Sequence, residues 1–171
     1  MRSFVGSPVD NTDDFLNLIK SLSAFNEIKT VPLRNLHLTY LFLSEVTENQ
    51  KNIAIKKLRM LEFKVINCRI DSIRNLPEGS RPRAVVISLD CPEILALNAM
   101  VQNSFSSDFK TNQRFLPHVT VGRYGKNNNP IKVDSVDLDV GNITFKSICI
   151  YRSILLPNGP VYEKLYCKQF T

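Results

Sequence analysis

The chain contains only two histidines, and they point more directly to chemistry than any other residues in it. Each opens the same pattern: His37-Leu38-Thr39-Tyr40 in the first half and His118-Val119-Thr120-Val121 in the second. Both patterns lie in short apolar stretches that read as largely buried strands. On a strand, side chains at i and i+2 share a face, about 6.6 Å apart along the chain. Each motif can therefore offer an imidazole and a hydroxyl to one small ligand. Two motifs on adjacent strands would gather two imidazoles and two hydroxyls around one cleft.

That set suits displacement at phosphorus. An in-line reaction needs a base on the entering water and an acid on the leaving oxygen, on opposite sides of the phosphate. Imidazoles with ordinary pKa values near 6.5 allow one ring to be neutral while its partner is protonated. Thr39 and Thr120 would donate to the non-bridging oxygens and stabilise the charge that gathers there. A single His-x-Thr reads more simply as a histidine hydrogen-bonded within a β core. Two of them in equivalent places, with no third histidine in the chain, favour a shared site. A metal centre is not expected, because two histidines without a carboxylate or cysteine cluster supply too few ligands; no cofactor is expected either.

The elements that must carry these motifs follow from pattern. Residues 2–5 read as an opening strand. Asn11 or Thr12 caps a helix whose apolar stripe is Phe15, Leu18, Ile19 and Leu22, with Asp13 and Asp14 at its positive end. Residues 36–43 form a strand, and Thr47-Glu48-Asn49-Gln50 is a capping box opening a helix to about residue 62. Residues 63–73 alternate as a strand, and 75–82 form a loop rich in proline and glycine. The order then repeats: a strand over 84–89, a helix from Pro92 framed by Asp90 and Glu93, and a strand over 115–121. A loop over 127–130 precedes paired strands at 143–155 and 161–170 around Pro157-Asn158-Gly159-Pro160. Strands alternating with amphipathic helices leave α+β or α/β open, in two similar halves meeting near residue 80.

Composition bounds the rest. With 171 residues, 43% of them hydrophobic and 22% charged, the chain suits one folded domain and excludes a disordered or collagen-like protein. The net charge of +6 fits a polyanionic partner without requiring one. No apolar run reaches the length of a membrane span or a signal peptide. Cys68, Cys91, Cys149 and Cys167 form no Cys-x-x-Cys pair and read as buried free thiols, for which the cytoplasm is the expected compartment. Cys149 and Cys167 fall on segments that can neighbour each other, which alone does not establish a disulfide.

Beyond the two motifs, four stretches carry a family resemblance: Asn35–Val46, Arg81–Val85, Arg114–Arg123 and Ile150–Tyr162. Together they resemble the 2H phosphoesterases, and within them the RNA 2′,3′-cyclic phosphodiesterases, also called LigT-like proteins or 2′-5′ RNA ligases. Gly122 stands where that family often has alanine or another small residue. The resemblance implies an α+β fold of two pseudo-symmetric lobes, roughly 1–80 and 81–171, which together make one domain. Each lobe is a mostly antiparallel sheet with helices outside, the two flank a central cleft, and strands can be exchanged between them. It implies hydrolysis of a terminal RNA 2′,3′-cyclic phosphate to a 2′-phosphate, with His37 as proton donor and His118 as proton acceptor.

The same site could instead join RNA ends through a 2′-5′ bond, or bind RNA without turnover. The expected partner is RNA with a cyclic phosphate end, the expected state a monomer, and no membrane is involved. Arg123 follows the second motif and could pair with phosphate. Strict alternation places it on the face opposite His118, so a bulge or bend at Gly122 would be required. Arg81, Arg83 and Arg114 are further candidates for the RNA path. Tyr40 could stack on a base, though on an apolar strand it belongs to the core.

Overall fold

The computed structural model describes residues 1–126 and 129–171, so part of the expected 127–130 loop, Asn127 and Asn128, lies outside it. The described strands are β1 (Arg2–Pro8), β2 (Ile28–Thr30), β3 (His37–Glu45), β4 (Ile66–Leu76), β5 (Ala84–Asp90), β6 (His118–Tyr124), β7 (Asn142–Phe145), β8 (Ser147–Leu156) and β9 (Gly159–Gln169). The helices are α1 (Leu16–Ser23), α2 (Glu48–Arg59) and α3 (Pro92–Phe105). Two antiparallel sheets result, ordered β3-β1-β8-β9 and β2-β6-β5-β4-β7. This is the expected α+β class. Each sheet draws strands from both halves of the sequence. The helices pack outside, α2 against β8 and β9, and α3 against β3 and β4.

The motifs sit where burial fixes them. Leu38 and Val119, between histidine and threonine in each motif, are fully buried in one contiguous core with Val5, Leu41, Val85 and Ile87. Each such side chain contributes about 1.5–3 kcal/mol of burial. Because alternation has a period of two, anchoring that middle residue turns His and Thr together toward the cleft. Tyr40 belongs to the core, where its hydroxyl bonds the Ser7 hydroxyl at 2.9 Å.

Several boundaries differ from the sequence expectation. Asn11 precedes a single 3-10 turn, Thr12–Phe15, without a side-chain cap bond, and α1 starts only at Leu16. β4 runs on to Leu76, into the expected loop, and β6 is shifted to His118–Tyr124. The stretch over 143–155 is two strands: β7 ends at Phe145 in one sheet and β8 begins at Ser147 in the other. Helix α3 starts at Pro92 with Glu93 in its first turn, as expected, but Asp90 is not its cap. Cys91 occupies that position, and Asp90 closes β5 in a 3.0 Å ion pair with Arg69. Thr47 and Gln50 do form the capping box of α2, through bonds of 3.2 and 2.9 Å.

The cysteines are not free thiols. Cys149 lies opposite Cys167 in the β8–β9 ladder, and the two form a disulfide. Cys68 and Cys91 form the other, one step beyond the Arg69–Asp90 pair of β4 and β5. Cross-strand register makes both pairs, with Cα separations of 4.1 and 5.1 Å, and register is not visible in cysteine spacing. With all four cysteines paired, no free thiol points to a reducing compartment.

Candidate active site

β3 and β6 approach each other from the two sheets, and each begins at its histidine. The two rings are held alike. His37 Nδ1 lies 2.6 Å from the Asn35 carbonyl oxygen, and His118 Nδ1 lies 2.6 Å from that of Leu116. A carbonyl only accepts, so Nδ1 carries the proton in both rings and Nε2 is the atom left for chemistry. Thr39 and Thr120 are half-buried, and neither hydroxyl has a protein partner among the described residues.

A bulge follows each threonine. On β3, Thr39 faces Gly6 and Leu41 faces Val5, leaving Tyr40 as the extra residue. On β6, Thr120 faces Val86 and Gly122 faces Val85, leaving Val121 extra. The second bulge reverses the alternation and brings Arg123 onto the cleft face with Thr120, where both line the same cavity as His37. Glycine is needed at both crossings. A Cβ on Gly6 would lie 2.6 Å from the Leu38 carbonyl oxygen, and one on Gly122 would lie 2.6 Å from Ile28 Cγ2. Arg81, Arg83 and Arg114 are exposed and do not line this cavity.

The surroundings of His37 were not legible in the sequence. Phe4, Tyr151 and Tyr162 enclose it, with ring centroids 5.0, 6.1 and 4.9 Å away. Phe4 and Tyr151 stack on each other at 4.9 Å, and the Cys149–Cys167 bridge packs with this cluster. Their signal is diffuse, because three rings on three strands meet only through register. Burial pulls the His37 pKa down to about 4, aided by the charges of Arg123 and His118 and opposed by the Asn35 bond. Both charged groups are therefore close enough to act on it.

This lowered pKa has a consequence for stability. Unfolded, His37 takes up a proton near pH 6.5; folded, it resists until about pH 4. The unfolded state binds more protons across that window, so stability falls as pH drops through it. We expect the melting temperature of His37→Gln to decline less than that of wild type between pH 6.5 and 4. Parallel decline in calorimetric scans would refute the linkage.

No protein-family profile matches the chain. It is 30% identical over 173 residues to the RNA 2′,3′-cyclic phosphodiesterase of Archaeoglobus fulgidus, covering 96% of this chain and 98% of that protein. The chain belongs to the RNA 2′,3′-cyclic phosphodiesterase family. A second relative of that name, from Methanocaldococcus jannaschii, is 29% identical over 161 residues, covering 86% and 91% of the two chains.

Solved structures agree on the fold. A protein of Thermus thermophilus superposes with a TM-score of 0.85 at 22% identity, covering 99% of this chain and 98% of its own. Escherichia coli LigT complexed with 3′-AMP gives 0.76 at 17% identity, with 99% and 98% covered. Among the described residues, no group of three or more His, Cys, Asp or Glu side chains is placed to hold a metal ion. No described helix is long and apolar enough to cross a membrane.

Proposed function

We propose that this protein hydrolyses the terminal 2′,3′-cyclic phosphate of RNA to a 2′-phosphate by acid–base catalysis between His37 and His118. The observation that carries this reading is the matched pair of imidazoles. Both are fixed through Nδ1, both leave Nε2 available, and each is followed on its strand by an unengaged threonine hydroxyl. Family membership supplies the substrate class.

In the reaction, His118 takes a proton from water as the water oxygen bonds to phosphorus. The P–O3′ bond breaks, and the 3′-oxygen receives a proton from His37. Thr39, Thr120 and the Arg123 guanidinium stabilise the charge on the non-bridging oxygens. His37 is neutral near pH 7 in the unliganded site, so the proton it gives must be taken up at Nε2 with the substrate's help. The phosphodiester anion both offsets Arg123 and attracts a proton to the ring. One observation favours the opposite direction of transfer: a ring kept neutral by burial is poised as a base.

Incubating 2′,3′-cyclic-ended RNA with the protein in EDTA tests the reading. The expected product is a 2′-phosphomonoester formed at an undiminished rate. Loss of turnover with the metal removed, or a 3′-phosphate product, would reject it. A new 2′-5′ linkage in the presence of a 5′-hydroxyl RNA would instead identify a ligase.

A further inference from the structure

The cavity that holds His37, Thr120 and Arg123 extends well past them, to a volume of about 540 Å³. That is far larger than one phosphate needs and falls within the range of sites for whole small molecules. Its lining also contains Lys29 and Arg34. Lys29 on β2 stands directly opposite Arg123 on β6. Facing residues on paired strands have Cβ atoms about 5 Å apart, and like charges placed so are destabilising. The cavity lining includes no Asp or Glu, and none of these three cations joins an ion pair among the described residues.

The opposite wall is the tip of the β8–β9 hairpin, with Leu156, Pro157, Val161 and Tyr162. Two bonds hold this tip in place across the cavity. Lys29 Nζ donates to the Asn158 carbonyl at 2.7 Å, and Asn35 Nδ2 donates to the Pro160 carbonyl at 3.3 Å. The Asn158 bond uses one of three ammonium protons and orients the rest. The result is a braced pocket with an apolar side and, beside the reacting groups, two further cations.

From this geometry we infer that Lys29 and Arg34 bind a second, non-reacting phosphate: the phosphodiester that joins the terminal nucleotide of the RNA to its neighbour. The inference rests on the proposed function for the identity of the strand. The apolar hairpin tip then receives the terminal nucleoside between the two phosphates. A cross-strand pair of cations with no acidic side chain in the cavity lining is matched once an anion lies against it. The substrate is thereby read as a chain end and not as a lone cyclic nucleotide.

The test is binding, so it does not depend on turnover. Calorimetry would compare two dinucleotides ending in a 2′-phosphate, one with a natural internucleotide linkage and one with an uncharged methylphosphonate. The charged form is expected to bind at least about tenfold tighter, the scale of one charge-assisted hydrogen bond. The difference should shrink in Lys29→Gln and in Arg34→Gln, collapse toward onefold in the double variant, and shrink with added salt. Equal binding of the two dinucleotides to wild type overturns the inference, as does a difference that survives in the double variant. Failure to hydrolyse a cyclic-ended RNA would defeat the proposed reaction while leaving this comparison intact.

Discussion

Alanine at His37 or at His118 should lower kcat/KM for a 2′,3′-cyclic-ended RNA by about 10²–10⁴-fold, the usual contribution of a positioned acid or base. The chain has only these two histidines, so neither variant has a spare imidazole to substitute for the one lost. The folded state should tolerate both changes, since the buried Leu38 and Val119 hold the strands and neither histidine belongs to the buried core. Near-wild-type turnover by either variant would remove that residue from the mechanism.

A harder question is which ring gives the proton. The pH profile does not answer it, because donor-protonated and acceptor-protonated pairs contain the same number of protons and yield the same bell. Leaving-group chemistry does. A 3′-deoxynucleoside 2′-(4-nitrophenyl) phosphate releases a stable phenolate and needs no acid. With His37 as the donor, His37→Ala should recover most of its activity on that substrate, whereas His118→Ala should not. Recovery by His118→Ala alone would reverse the direction, in keeping with the burial that holds His37 neutral.

The paired motifs were legible because the period of a strand turns sequence spacing directly into shared orientation. The capping box of α2 was legible for a similar reason: its partners are three residues apart. What escaped was whatever depends on register between distant strands. Phe4, Tyr151 and Tyr162 become neighbours of His37 only once β1, β8 and β9 pair. The two disulfides arise in the same way, which is why thiol spacing misled. Arg123 shows an intermediate case. Alternation alone put it on the wrong face, and a bulge was the stated condition for its use; the bulge is present, centred on Val121. Gly6 carried no signal at all, although the close approach of the Leu38 carbonyl forbids a side chain there.

Thr39→Val and Thr120→Val are each expected to lower kcat by about 10²–10³-fold, the scale seen when one donor to a developing oxyanion is removed. Valine keeps the β-branch and the strand preference, so the substitution deletes a hydroxyl with little change in shape. Neither hydroxyl supports another part of the fold among the described residues, and stability should therefore move little. The informative readout is the split between kcat and KM. A donor whose bond strengthens as charge collects on the non-bridging oxygens lowers kcat when lost; one that only holds the ground state raises KM. Serine at either position should restore most of the rate, since it returns the donor without the methyl. A rise in KM with kcat unchanged would reduce the threonines to anchors for the phosphate. The chemistry would then fall to the two imidazoles and Arg123, whose guanidinium lines the same cavity as His37 and Thr120.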